Sequence, residues 1–118
     1  MKTLNCLIVD DEELARKLIT LYIEKTTCLS LVGTAKNSIE VLSSLKKDAI
    51  DLIFLDIQMP ELSGVELAKL LPEHIKIIFT SGYSRETIEE ININMVDYLL
   101  KPITLKRFQE AIEKIKDT

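Results

Sequence analysis

An unbroken apolar run that ends in an acidic residue, Leu52–Asp56, constrains the fold more than any other stretch of this sequence. A strand with one solvated face would alternate apolar and polar residues, so this run predicts a strand covered on both faces, as in a parallel sheet. Because a carboxylate inside such a strand would be very costly, we expect Asp56 at its carboxyl end, where open α/β sheets carry their sites. An aspartate after a strand also commonly caps a helix or stabilises a turn, and this stretch alone does not separate the two uses.

The rest of the chain alternates between strand and helix patterns. Asn37 followed by Glu40 has the form of a capping box at the start of the second helix. The last helix begins after Thr104 with one apolar stripe, and its basic residues, including Arg107 and Lys114, are assigned to the solvent face. The predicted strands are residues 4–9, 29–34, 51–55, 75–79 and 96–100. The predicted helices begin near residues 14, 37, 64, 84 and 104. The helix from 84 to about 93 is poor in helix-forming residues.

Five successive strand–helix units predict a parallel sheet with helices on both faces, joined by right-handed crossovers. We therefore expect an α/β fold, the flavodoxin-like (βα)5 three-layer sandwich with strand order 2-1-3-4-5, whose switch point lies between the first and third strands. A chain of 118 residues fits one domain, so residues 1–118 are predicted to form a single domain with its own core.

Composition and charge argue against several kinds of partner. Apolar residues make up 47% and charged residues 29% of the chain, an ordinary globular balance, and the net charge of −4 argues against a domain that itself grips nucleic acid. No apolar run is long enough to span a membrane, and the first residues lack the pattern of a secretory signal. We therefore expect a cytoplasmic domain that contacts neither a membrane nor nucleic acid by itself.

Polar residues follow the predicted strands at one edge of the sheet. Asp10 and Asp11 end the first strand, Asp56 the third, Thr80 the fourth and Lys101 the fifth. Two like charges about 4 Å apart cost roughly 4 kcal/mol at an effective dielectric of 20, so carboxylates gathered at this edge need a cation. Hard oxygen ligands with no His or Cys among them favour Mg²⁺ over Zn²⁺.

The same residues can hold a phosphoryl group. The Lys101 ammonium can pair with one phosphate oxygen and the Thr80 hydroxyl can donate to another, while Asp56 between them is placed as a nucleophile that forms an aspartyl phosphate. Taken singly, each residue has a structural explanation as a helix cap, a loop hydroxyl or a surface charge. Their joint placement on successive strand ends favours the functional interpretation.

Four short motifs carry these residues, which are Asp10-Asp11, Leu55-Asp56-Ile57-Gln58-Met59-Pro60 with Gly64, Thr80-Ser81, and Tyr98-Leu99-Leu100-Lys101-Pro102. Together they resemble the receiver domains of two-component response regulators, over essentially the whole chain. The resemblance implies that Asp56 is the phosphoacceptor and that a sensor histidine kinase is the phosphoryl donor. It also implies a signalling domain that phosphorylates and dephosphorylates itself, and not a turnover enzyme.

The resemblance further assigns roles to the residues around Asp56. It implies that Asp11 and Asp56 bind Mg²⁺ directly, together with the backbone carbonyl of Gln58. Asp10 would reach the ion mainly through water, and Lys101 would pair with the phosphate.

Two residues are implied to form the conformational switch of such a domain. Thr80 moves toward the phosphate, and the Tyr98 ring rotates inward as it does so. A phosphoryl group adds charge and strong acceptors, so we expect phosphorylation to shift a two-state equilibrium around the fourth and fifth strands. The structural alternative for Tyr98 is a half-buried strand aromatic.

Within the family, the stretch from Asp97 to Pro102 and the stretch from Leu62 to Leu67 are similar to receivers of LytTR-type (LytR/AlgR-like) regulators. Such receivers normally continue into a DNA-binding domain. The resemblance therefore implies a LytTR-type DNA-binding domain outside this chain, control of transcription as the output, and a homodimer through the last strand–helix region. The helix predicted from residue 84 departs from the alanine-rich pattern common in that subfamily.

Other interpretations are distinguished by particular residues. A stand-alone receiver acting through protein contacts, or a pseudo-receiver that is never phosphorylated, are the alternatives within the family; a pseudo-receiver would be expected to lack Asp56, Thr80 or Lys101. In a flavodoxin-like electron carrier, the acidic residues after the first strand would repel a flavin phosphate. A phosphatase with an aspartate nucleophile usually has a second aspartate two residues later, where this chain has Gln58.

Overall fold

The computed structural model describes residues 3–59, 64–82 and 95–116 of the chain. Within these ranges, five parallel strands form one sheet in the order β2-β1-β3-β4-β5, which confirms the predicted flavodoxin-like α/β fold. None of the described helices is long and apolar enough to cross a membrane. The strands are β1 Leu4–Val9, β2 Leu29–Ala35, β3 Leu52–Asp56, β4 Lys76–Ser81 and β5 Asp97–Leu100, and the helices are α1 Glu13–Glu24, α2 Ser38–Lys47, α3 Gly64–Leu70 and α4 Leu105–Lys116.

The sheet is covered on both faces, as the apolar run of β3 predicted. Every residue of β3 is buried, and successive residues alternate between two apolar clusters, with Phe54 in the first and Leu55 in the second. The Phe54 ring stacks on Phe108 of α4, with ring centroids 5.3 Å apart. Helices α1 and α4 contribute Ile19, Ile23, Phe108 and Ile112 to the first cluster, and α2 and α3 contribute Val41 and Leu67 to the second.

Two strands near the predicted site end later than hydropathy indicated. Strands β3 and β4 were predicted to end at residues 55 and 79, but they end at Asp56 and Ser81. The ladder continues because Ile57 N–H donates to the Thr80 carbonyl at 3.0 Å and Lys101 N–H donates to the Ser81 carbonyl at 2.7 Å. The helix predicted from residue 84 to about 93 lies outside the described residues.

Two of the predicted helix starts have side-chain caps. The Asn37 side chain accepts a hydrogen bond from Glu40 N–H at 2.9 Å, as the capping box requires, but the Glu40 carboxylate accepts from Lys36 N–H and not from Asn37 N–H. The Thr104 hydroxyl accepts from Arg107 N–H at 3.2 Å. Both caps therefore fix where the chain turns from loop to helix.

Two basic residues of α4 have a partner that the sequence did not predict. Arg107 and Lys114 were assigned to the solvent face and keep 33% and 54% of their side chains exposed, but both also bind the buried carboxylate of Asp97 on β5. A helical stripe shows which face is apolar, but it does not show that a neighbouring strand carries a buried acid. The two residues flank the apolar stripe of α4, and so they reach the edge of the sheet.

Candidate functional site

Three aspartates meet at the carboxyl edge of the sheet, because β1 and β3 are neighbours that both end there. One carboxylate oxygen from each of Asp10, Asp11 and Asp56 lies within 4.8 Å of the others. Asp10 and Asp56 are buried, whereas Asp11 is exposed. The predicted convergence at the switch point is therefore present, and the site opens to solvent on the Asp11 side.

Lys101 reaches this cluster from the end of β5, through a segment in which the Lys101–Pro102 peptide bond is cis. Its ammonium lies 2.9 Å from Asp10 Oδ2, 3.0 Å from Glu12 Oε1 and 3.5 Å from Asp56 Oδ2. Burial opposes the charge on this lysine, but the surrounding carboxylates outweigh burial and raise the pKa of Lys101. The ammonium is therefore held firmly charged and is shared among several acids.

Glu12 was not identified as a site residue from the sequence. A glutamate at the start of a helix has an ordinary structural explanation, because negative charge is favourable there. The contact with Lys101 joins residues 89 positions apart. The one sequence signal was its position directly after Asp10 and Asp11.

Asp56 is held in place from two sides. Gln58 N–H donates to Asp56 Oδ1 at 3.0 Å, and the Lys101 ammonium donates to Oδ2 at 3.5 Å. Burial, assisted by the charge of Asp10, raises the pKa of Asp56 to about 6, although Gln58 N–H and Lys101 oppose the rise. The residues described around Asp56 therefore leave its negative charge under-compensated.

Two buried oxygens at the site have no directed hydrogen bond among the described residues: Asp10 Oδ2 and Thr80 Oγ1. The contact of Asp10 Oδ2 with the lysine ammonium is an ion pair only, while Asp10 Oδ1 accepts from Glu12 N–H at 2.9 Å. Buried polar atoms without a partner are uncommon in folded proteins and call for an explanation. Thr80 Oγ1 has no partner among the described residues, and Asp10 Oδ2 has only the Lys101 ammonium, which it shares with Glu12 and Asp56.

Thr80 and Tyr98, the predicted switch residues, lie on neighbouring strands. Thr80 is buried and is the ladder partner of Asp56, and Tyr98 is the ladder partner of Phe79, the residue before Thr80. The Tyr98 ring is half-buried against the second apolar cluster. Arg107 lies 5.8 Å from the ring centroid and donates to the Tyr98 carbonyl at 3.0 Å. Tyr98 therefore lies on the strand beside that of Thr80, and its part in a switch stays a prediction.

Gly64 allows α3 to begin directly against the strand end that carries Asp56. A Cβ atom at Gly64 would overlap the Asp56 carbonyl oxygen and would lie 2.9 Å from Ile57 Cα. Gly64 N–H donates to the Ile57 carbonyl at 3.0 Å. The close approach requires a residue without a side chain, so this glycine fixes the backbone beneath the candidate nucleophile.

Comparisons with known proteins point to one family. A family model described as Response regulator receiver domain matches residues 6–113. The transcriptional regulatory protein BtsR of Escherichia coli is 36% identical over 112 residues, covering 93% of this chain and 47% of BtsR. A response regulatory protein of Shewanella oneidensis is 35% identical over 115 residues, covering 96% of this chain and 49% of that protein. The chain thus spans about half the length of the curated relatives it matches.

Solved structures give the same likeness. The response regulatory domain of mrkE from Klebsiella pneumoniae superposes with a TM-score of 0.83 at 29% identity, covering 96% of this chain and 95% of that domain. The REC domain of AraT from Geobacillus stearothermophilus superposes with a TM-score of 0.84 at 30% identity, covering 98% and 94% of the two chains. These likenesses extend over the sheet and the helices on both of its faces.

Proposed function

We propose that this chain, which belongs to the response regulator receiver domain family, accepts a phosphoryl group from a sensor histidine kinase onto Asp56. The phosphorylated domain then changes conformation to control an output. One observation carries the proposal: the acidic cluster and Lys101 surround Asp56, and two buried oxygens there, Asp10 Oδ2 and Thr80 Oγ1, lack a directed hydrogen bond.

The chemistry of the donor set supports Mg²⁺ as the cofactor. Asp11, Asp56 and the Gln58 carbonyl would hold the ion directly, with Asp10 reaching it mainly through water. All of these ligands are hard oxygens, which suit an ion that keeps several waters and binds phosphate oxygens. When bound, the ion neutralises negative charge on the transferring phosphoryl group.

Asp56 Oδ2 is the oxygen that we assign as the nucleophile. Oδ1 already accepts from Gln58 N–H, whereas Oδ2 faces the Lys101 ammonium at 3.5 Å. A new oxygen–phosphorus bond forms as the phosphorus–nitrogen bond to the kinase histidine breaks. Lys101 then pairs with a phosphoryl oxygen, so positioning and charge compensation supply most of the catalysis.

The position of Thr80 next to Asp56 in the sheet supports the proposed switch. A phosphoryl oxygen on Asp56 would give the unpartnered Thr80 hydroxyl an acceptor and draw it toward Asp56. That movement would vacate space into which the Tyr98 ring rotates. Ligand-dependent changes would therefore extend from β3 to the edge strand β5, and chemical-shift changes confined to the Asp56 loop on beryllofluoride binding would contradict this step.

Labelling with acetyl phosphate tests the proposal. Wild type incubated with Mg²⁺ should gain one phosphate by intact-mass measurement, Asp56→Asn should gain none, and chelation of Mg²⁺ should prevent the gain. The matched control is Asp48→Asn, an exposed aspartate at the end of α2, which should label like wild type. Phosphate on Asp56→Asn would show another acceptor, and wild type that neither labels nor binds beryllofluoride would be a pseudo-receiver.

The wider assignment is also proposed. We place residues 1–118 as one cytoplasmic receiver domain that acts as a signalling module and not as a turnover enzyme. The LytTR-type motifs, together with the likeness to a transcriptional regulatory protein about twice this length, support transcription as the output, through a LytTR-type DNA-binding domain outside this chain. A homodimer through β5 and α4 is tested by sedimentation with and without beryllofluoride; an unchanged monomer would exclude phosphorylation-driven dimerisation of this domain.

A further inference from the structure

Glu12 contacts the site, but the proposed phosphoryl transfer does not use it. Its carboxylate lies 3.0 Å from the Lys101 ammonium, closer than the 3.5 Å that separates this ammonium from Asp56 Oδ2. The Glu12 side chain is 66% exposed, whereas that of Lys101 is 20% exposed. Glu12 is therefore the solvent-facing member of the set of carboxylates that shares this lysine.

The Glu12 side chain does not cap α1 by a hydrogen bond. Glu12 occupies the N-cap position, but its side chain makes no capping hydrogen bond. The backbone of Glu12 makes the hydrogen bonds at the start of α1: its N–H donates to Asp10 Oδ1 at 2.9 Å, and its carbonyl accepts from Arg16 N–H at 3.1 Å. The contact with Lys101 is the interaction of this carboxylate that remains to be explained.

We infer that Glu12 is a positioning residue that holds the Lys101 ammonium on the α1 side of the site, in competition with the phosphoryl group on Asp56. This inference rests on the proposed function. A divalent cation would engage Asp56 directly and Asp10 through water, and both would then hold Lys101 less strongly. Glu12 would remain as the carboxylate that keeps Lys101 from turning fully toward Asp56. Phosphoryl binding must weaken the Glu12–Lys101 pair, and the Glu12 charge also repels the phosphoryl oxygens. Glu12 thus lowers the affinity of the site for a phosphoryl group.

Glu13 offers a matched control. It is the next residue in the chain, carries the same charge and is 70% exposed, but its carboxylate pairs with Lys17 at 3.3 Å within α1. Glu12→Gln and Glu13→Gln each remove one negative charge at the start of α1. The difference between the two variants therefore isolates the contact with Lys101 from the general change in charge.

Beryllofluoride, a stand-in for the phosphoryl group, gives the test. Its dissociation constant is measured by fluorine NMR at saturating Mg²⁺, after the Mg²⁺ affinity of each protein has been determined. We expect Glu12→Gln to bind beryllofluoride about two- to fivefold more tightly than Glu13→Gln, the range expected for loss of an exposed ion pair. The difference should shrink as salt is added, because exposed charges are screened. Salt also screens the interaction of a charge with the start of α1, and the Glu13→Gln control accounts for that part.

The outcomes separate the inference from the proposed function. Equal affinities of Glu12→Gln and Glu13→Gln, or a difference that is independent of salt, would overturn the role of Glu12 and leave the phosphoacceptor site intact. Weaker binding by Glu12→Gln would show that Glu12 assists phosphoryl binding, which also overturns the inference. If wild type and both variants ignored beryllofluoride, the proposed function would fail and this inference would fail with it.

Discussion

Asp56 and Asp97 are both buried aspartates of the same sheet, but the chain compensates their charges in opposite ways. Asp97 receives two hydrogen bonds of 2.8 Å from the Arg107 guanidinium and lies 3.0 Å from the Lys114 ammonium. Asp56 lies 3.5 Å from one lysine that is also bound to other acids. Asp97 therefore has two cationic partners, whereas Asp56 shares a single cation with other carboxylates.

The pKa values of the two groups move in opposite directions. Burial alone would raise the pKa of Asp97, but hydrogen bonds from Arg107, Lys114 and Tyr98 N–H outweigh it and hold this pKa below its usual range. Burial and Asp10 raise the pKa of Asp56 to about 6. A buried carboxylate that is neutralised by basic side chains of the same protein has a structural role. A buried carboxylate without enough such partners is a candidate site for an external cation.

The largest expected difference is in stability. Asp97→Asn leaves Arg107 and Lys114 without their shared carboxylate and should lower the free energy of unfolding by about 2–3 kcal/mol, less than the full loss of a buried pair because both cations are partly exposed. Asp56→Asn removes repulsion with Asp10 and should leave stability unchanged or raised. Urea unfolding of both variants without Mg²⁺ measures this, and equal losses in the two would break the contrast.

The next largest expected effect is the loss of stability on replacing Gly64, which contacts the backbone of Asp56. Gly64→Ala places a Cβ against the Asp56 carbonyl, so we expect a loss of about 1–3 kcal/mol in unfolding free energy, as for an overpacked core, together with slower labelling by acetyl phosphate. Gly33→Ala is the matched control, since its Cβ would meet only Leu7 Cδ1 within contact range, at 3.7 Å. Similar losses in stability and labelling rate in both variants would mean that the contact at Gly64 has no special role.

The acidic site could be predicted from the sequence because the end of an unbroken apolar run lies close to the end of a buried parallel strand. Asp10, Asp56 and Lys101 each follow an apolar run, and the strand order brings those ends together. The Asp97 anchor was not predicted, because its partners come from the flank of a helix whose apolar stripe indicated only the buried face. The Glu12 contact was missed for the same reason: periodicity assigns residues to faces, but ion pairs between elements depend on their packing.

The smallest predicted effect is the pH dependence that Asp97 adds to stability. A carboxylate whose pKa is lower in the folded protein contributes stability above its unfolded pKa of about 3.9, and this contribution is lost as the pH falls through the folded value. Wild type should therefore lose stability more steeply than Asp97→Asn as the pH is lowered below about 4. Urea midpoints from pH 5 down to pH 3 measure the difference, with the exposed Asp48→Asn following wild type. Parallel curves for wild type and Asp97→Asn would show that Arg107 and Lys114 do not hold this carboxylate ionised, and that the two aspartates differ less than their contacts indicate.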